Sequence, residues 1–258
     1  MSDYYSDPAI SHSMIKNMAK SPAHFKAAVE APNVSTDAML LGSLVHAMVL
    51  EPHTVEDDYI KVGKIDRRTK EGKEAWAALQ DSDRRVVKED VWQTAENMAE
   101  SVLSCSAAKG MILEATAMNS VEVEFFWNDS RFGIDRKSKV DGITEQSIID
   151  LKTTTDATRG FDRSITKYWY HTQAAYYRDA LMSRGIHRDN FTIIAVEKTP
   201  PYAVAVVRMD HGVMDWGKSI IDKWLDQLRW CKSSQNYPAF TGVRYFSKPS
   251  WADEETDA

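Results

Sequence analysis

The chain has 258 residues, of which 43% are apolar, and a formal net charge of −6. That length supports one substantial core or at most two small ones, and the acidic balance excludes a protein that coats nucleic acid through its overall charge, though not one with a local basic channel. Its two cysteines, Cys105 and Cys231, are too few for a disulfide framework or for the four thiolates of an iron–sulfur cluster.

Residues 1–10 carry Asp3 and Asp7 and no basic n-region, and no window is apolar enough to span a membrane. A cytoplasmic protein without membrane association is therefore expected. Residues 11–29 predict a helix, capped by Ser11 or Ser13 and broken at Pro22. Residues 40–50 are an apolar run closed by Glu51-Pro52. Leu41, Leu44, Val45 and Met48 have helical spacing, which puts His46 on a largely buried helix. Residues 57–72 read as a basic loop, 73–79 as a short helix and 89–113 as one longer helix.

From Ser120 the texture changes to β-branched and aromatic residues alternating with polar ones. Strands are expected over 121–127 and 132–141, paired as a hairpin around 128–130, and over 147–153. A helix over 168–182 follows. Two strands, 191–197 and 202–208, flank Thr199-Pro200-Pro201, and an amphipathic helix spans 213–231. No repeat or linker interrupts this order. The expectation is one α/β domain over 1–252, a central mixed β-sheet flanked by helices. Residues 253–258, with four acids, would be a disordered acidic tail.

The chemistry concentrates in 139–153, Lys-Val-Asp-Gly-Ile followed by Ile-Ile-Asp-Leu-Lys-Thr. Asp150 and Lys152 are two apart on a strand, so they share a face. Asp141 ends the preceding strand and can reach that face across the hairpin. Carboxylate oxygens suit a hard cation such as Mg²⁺ or Mn²⁺, which polarises a phosphate and activates water. Lys152 can orient that water or stabilise the developing charge. An isolated Asp-x-Lys is commonly a surface ion pair. Here Ile148, Ile149 and Leu151 make the strand central, where unpaired charge is costly. His46 alone would more often be a satisfied core histidine, and Gln173 part of an ordinary amphipathic helix. Basic residues cluster at 61–73, including Arg67, Arg68, Lys70 and Lys73, and at 131–139, including Arg136 and Lys137. Both runs are candidate DNA contacts; each by itself could be a solvated face.

Taken in order, Gly42-x-x-x-His46, a strand glutamate, Asp141-Gly142, Asp150-Leu151-Lys152-Thr153-Thr154 and Gln173-x-x-x-Tyr177 resemble the RecB-type branch of the PD-(D/E)XK nuclease superfamily. Leu41-Gly42 to Pro52, Asp66-Arg67-Arg68-Thr69, Tyr170 to Tyr177 and Pro249-Ser250-Trp251-Ala252 are similar to the RecE (exonuclease VIII) catalytic domain family over nearly the whole chain. The resemblance implies a restriction-endonuclease-like core. It implies Asp141, Asp150 and the Leu151 carbonyl as metal ligands, with His46 completing or flanking the shell. Lys152 would serve the nucleophilic water, and Gln173 and Tyr177 would position the strand or the lysine. The acidic strand position is Glu122 or Glu124; alignment back from Trp127 favours Glu122. Val140 stands where the superfamily name has proline.

The family implies a Mg²⁺-dependent exonuclease, Mn²⁺ substituting, acting on double-stranded DNA ends. It resects the 5′-terminated strand, leaves a 3′ overhang for a RecT-like single-strand annealing protein, and works as a homo-oligomeric ring. The alternatives are a RecB-like repair nuclease of other polarity and a non-catalytic DNA-end-binding module.

Overall fold

The computed structural model describes residues 4–31, 36–63, 65, 68–80, 82–240 and 242–248. The expected tail at 253–258 lies outside them.

Ser11 caps a short helix α1 (His12–Ile15), and a 3₁₀ turn (Lys16–Ala19) leads to α2 (Pro22–Glu30). Pro22 therefore opens a helix, where its missing N–H would have had no partner anyway, and Ser21 caps it. α3 (Asp37–Leu50) starts from a Thr36 cap and stops before Pro52. A 3₁₀ turn (Pro52–Thr54), α4 (Val55–Asp58) and β1 (Tyr59–Val62) follow. The segment expected to be a loop thus contributes a strand, paired in parallel with β2 (Arg85–Lys88) beyond α5 (Lys70–Gln80).

The long helix expected over 89–113 is two, α6 (Glu89–Ser104) and α7 (Ser106–Ala117). The break is Cys105, at φ −74° and ψ 109°, with no glycine or proline to announce it. Ile112 and Ala115 of α7 enter the same core as Met98 and Val102 of α6, so packing sets the turn.

The main sheet has β3 (Val121–Asp129), β4 (Ile134–Ile143), β5 (Ser147–Thr154), β6 (Asn190–Glu197) and β7 (Val204–Met209), in that spatial order. β5 and β6 are parallel; the other neighbours are antiparallel. A parallel pair needs a crossover. It is made by α8 (Phe161–Lys167), which sequence periodicity did not reveal, and α9 (Tyr170–Met182).

Strand alternation divides the core. Ile148, Phe191, Ile193 and Ala195 pack with α9, α10 (His211–Ser234) and the N-terminal helices. Ile149, Leu151, Ile194 and Val196 pack with α3, α6 and α7. The sheet is a middle layer covered on both faces, the mixed α/β architecture expected. α10 crosses the start of α9 at Gly217, where a Cβ would lie 2.0 Å from the His171 carbonyl oxygen. Among the described residues no single helix is long and apolar enough to cross a membrane.

Candidate active site

β4 and β5 are hydrogen-bonded neighbours only at Gly142↔Ile149 and Ile143↔Ile148. Continuing that register would set Leu151 against Val140. The strands fork instead, and side chains take the ladder's place. The Leu151 N–H donates to Asp141 Oδ2 at 2.7 Å, and the Leu151 carbonyl accepts from His46 Nε2 at 2.7 Å. Gly142 sits at the crotch, where a Cβ would come within 2.6 Å of the Ile149 side chain. β5 keeps its pairing with β6 as far as Thr154↔Glu197, so it stays anchored while its other edge is open.

His46 reaches the fork from α3. A carbonyl can only accept, so Nε2 carries a hydrogen and Nδ1 faces the acids, 3.5 Å from Asp141 Oδ2 and 3.8 Å from Glu122 Oε1. Donor atoms of His46, Glu122 and Asp141 all lie within 4.8 Å of one another. Glu122 lies opposite Asp141 with φ +52°, a left-handed conformation rare for a strand residue. Such strain persists where surrounding structure over-determines it, commonly at functional sites. Lys139 Nζ holds the other Glu122 oxygen at 2.9 Å.

Asp150 is 1% exposed and faces α9. Its Oδ1 accepts from Gln173 Nε2 at 3.0 Å, and the same amide donates to the Tyr177 hydroxyl at 3.0 Å. Its Oδ2 lies 2.5 Å from Lys152 Nζ, a charge contact without the angles of a hydrogen bond, so that buried oxygen has no hydrogen-bond partner. The Lys152 ammonium also stands over the Tyr170 ring, 5.4 Å from its centroid.

The electrostatics are those of crowded acids. Burial, partly offset by His46 and reinforced by Asp150 and Glu122, pushes the Asp141 carboxyl up to about 7. Burial works against charge on His46, but Asp141 and Glu122 outweigh it and raise the imidazole to about 9. Burial would likewise raise Glu122, yet His46 and Lys139 pull it below the usual carboxylate range. Lys152 is desolvated, but Asp150 and Asp141 raise its pKa, so it is an ammonium. Burial, then the charges of Asp150 and Asp141, hold the Tyr177 phenol well above its usual pKa. Three carboxylates and an imidazole nitrogen around one point, with one acid near neutral pKa and one carboxylate oxygen short of a hydrogen, fit a hard divalent cation by donor chemistry.

The structure thus groups His46, Glu122 and Asp141, with Asp150, Lys152, Gln173 and Tyr177 alongside. Two expected ligands face elsewhere in part. The Leu151 carbonyl is engaged by His46, and Asp150 is turned toward Lys152 and Gln173. Lys139 belongs to the site although its motif position was read only as part of a charge run; its i, i+2 spacing from Asp141 was the signal.

Two expected DNA contacts are corrected. Arg136 is fully buried, its guanidinium 4.0 Å from the Tyr176 ring and 4.7 Å from that of Trp127, bonding Asp129 and Asp179. Lys137 is 3% exposed and donates to the carbonyls of Tyr4 and Asp7. Both faces of β4 are covered here, so neither side chain can reach a phosphate. Arg68, Lys70 and Lys73 are exposed; Arg67 lies outside the described residues.

Comparison with known proteins agrees with this geometry. Residues 11–246 match the model of the PDDEXK-like domain of unknown function DUF3799. A crystal structure of a candidate exonuclease from Eubacterium rectale superposes with a TM-score of 0.67 at 14% identity, covering 100% of this chain and 98% of that one. The alkaline exonuclease LHK-Exo from Laribacter hongkongensis matches at 12% identity over 90% of this chain and 95% of its own, with a TM-score of 0.37, too low to specify shared topology. No curated protein sequence matches the chain. With a family match over nearly all of its length and the forked central strand in place, the chain belongs to the PDDEXK-like domain family.

Proposed function

We propose that this protein is a Mg²⁺-dependent exonuclease acting on double-stranded DNA ends, of the RecE (exonuclease VIII) type. The observation that carries the reading is the convergence of His46, Glu122 and Asp141 beside the Asp150–Lys152 pair at the fork between β4 and β5. His46, Glu122, Asp141 and Asp150 would hold the cation, and Mn²⁺ would substitute for Mg²⁺. When bound, the cation supplies charge neutralisation at the scissile phosphate and lowers the pKa of a water.

The chain's own residues do the rest. Lys152, an ammonium, cannot take a proton from water. It orients the nucleophile and balances negative charge as the phosphorus becomes pentavalent. Gln173 holds Asp150 and Tyr177 in register through one amide, fixing the acid that pairs with the lysine. Lys139 and His46 hold the strained Glu122 in place. Arg68, Lys70 and Lys73, with Arg67, would contact phosphates along the duplex. By likeness to RecE-type enzymes, the strand resected is the 5′-terminated one. The 3′ overhang would pass to a RecT-like annealing protein, and the working form would be a homo-oligomeric ring.

The test is digestion of linear duplex labelled at the 5′ or the 3′ end, in Mg²⁺ and in EDTA. Release of the 5′ label in Mg²⁺, none in EDTA, and loss of turnover in Asp150→Ala are expected. Undiminished hydrolysis by Asp150→Ala would refute the assignment. Tight end binding without hydrolysis would favour a non-catalytic binding module.

A further inference from the structure

Beside Lys152 opens a cavity of about 230 Å³, walled by α1, the turn after it, β4, β5 and α9. That is below the roughly 300 Å³ at which pockets for whole drug-sized ligands begin. It suits a small group. No aspartate or glutamate lines it, although the neighbouring cluster is acidic. Its wall instead holds two lysines, Lys16 and Lys152, and hydroxyls from Ser13, Ser138, Tyr168 and Tyr170.

Two of these groups lack protein partners. Ser138 is 1% exposed, and its Oγ is buried with no hydrogen bond. Buried hydroxyls are nearly always bonded, so an orphan facing a cavity calls for a ligand. Lys16 has no carboxylate within ion-pair distance among the described residues. Desolvation of its ammonium at the cavity wall, then the charge of Lys152, lower its pKa. Two cations held near each other without an acid between them make a local field that only an anion relieves. Lys16 is exposed as a residue, so its ammonium can follow a ligand in from solvent.

We propose that this cavity is a second phosphoryl site, which holds the phosphate next to the scissile one through Lys16 and Ser138. The inference rests on the nuclease reading above and adds to it a contact that fixes how far the strand advances. The same oxygens belong to a phosphodiester inside the strand and to a phosphomonoester at its end.

Affinity for two short duplexes, one 5′-phosphorylated and one with a 5′-hydroxyl, can be measured by fluorescence anisotropy in EDTA across a salt series. Hydrolysis is followed in Mg²⁺. Lys16→Gln should weaken binding about tenfold, as for one charge-assisted contact, and lower the salt slope by about one unit. Ser138→Ala should weaken binding severalfold while keeping or raising the melting temperature, because it removes an unsatisfied hydroxyl. A loss confined to the phosphorylated duplex identifies a terminal monoester; equal losses identify an internal diester. Unchanged affinity and salt slope in both variants would overturn the site, even if the parent cuts DNA. Weakened binding by both variants, with a parent that hydrolyses neither duplex, would keep the phosphoryl site and remove the nuclease reading.

Discussion

Lys152 offers the sharpest test of how the site works, because its two roles separate. Its ammonium lies 2.5 Å from an Asp150 carboxylate that is 1% exposed. Removing one partner of a buried pair costs about 3–5 kcal/mol. Two features put Lys152→Ala at the low end, about 3 kcal/mol in metal-free protein. The lysine side chain keeps 20% of its exposure, and Asp150 retains the Gln173 bond. Turnover should fall further, by roughly 10²–10³ in kcat, the loss typical of one electrostatic group acting in the transition state. Duplex affinity in EDTA should change little, since few phosphate contacts are lost. The double variant Asp150→Asn/Lys152→Met should recover most of the stability and none of the turnover, because a neutral amide and an apolar chain of similar length replace the pair. Urea denaturation gives the stabilities, and single-turnover hydrolysis of end-labelled duplex gives the rates. A Lys152→Ala protein that is stable but inactive because it no longer binds DNA would refute the transition-state role. One that keeps parental kcat would refute any catalytic role.

His12 is buried against Thr172, and desolvation followed by nearby cationic charge holds its pKa well below 6.5. The unfolded chain then binds the extra proton first, so stability is full above pH 6.5 and falls as pH drops below it. Melting curves down to about pH 5, above where ordinary carboxylates titrate, should show this decline, and His12→Gln should flatten it. Gly217→Ala should destabilise by about 3 kcal/mol or more by chemical denaturation, since its Cβ would meet the His171 carbonyl at 2.0 Å, and backbone cannot rotate away. Neutralising Arg68, Lys70 and Lys73 together should weaken DNA binding regardless of sequence and flatten its salt dependence by about one unit per lost phosphate contact. Parental binding and cutting by that variant would show that this stretch is only a solvated face.

Period and composition made much of this protein legible. Alternation from Ser120 onward announced the hairpin, the central strand and the last two strands, because a strand buried on both faces must be rich in Ile, Val and Phe. The apolar run around His46 could only be a buried helix. The i, i+2 spacing of Asp150 and Lys152 set both on one face before any tertiary contact was known. The order of acidic, basic and amide residues pointed to nuclease chemistry, because few other arrangements justify charge on such a strand.

Other features depend on contacts between segments far apart in the chain, which local pattern cannot carry. The break at Cys105 has no local breaker and follows from packing on the sheet. Glu122 and Glu124 are equivalent by alternation; only the left-handed turn at Glu122 and its meeting with His46 and Lys139 tell them apart. Arg136 and Lys137 read as a basic surface, yet α9 and the N-terminal segment cover the two faces of β4 and turn both charges inward. The fork itself is tertiary. Asp141 and His46 satisfy the Leu151 backbone only because α3, more than a hundred residues earlier, packs against the open edge of β5. Sequence determines which residues are available and which face they share; where the ladder opens is decided by which distant side chains arrive to replace its hydrogen bonds.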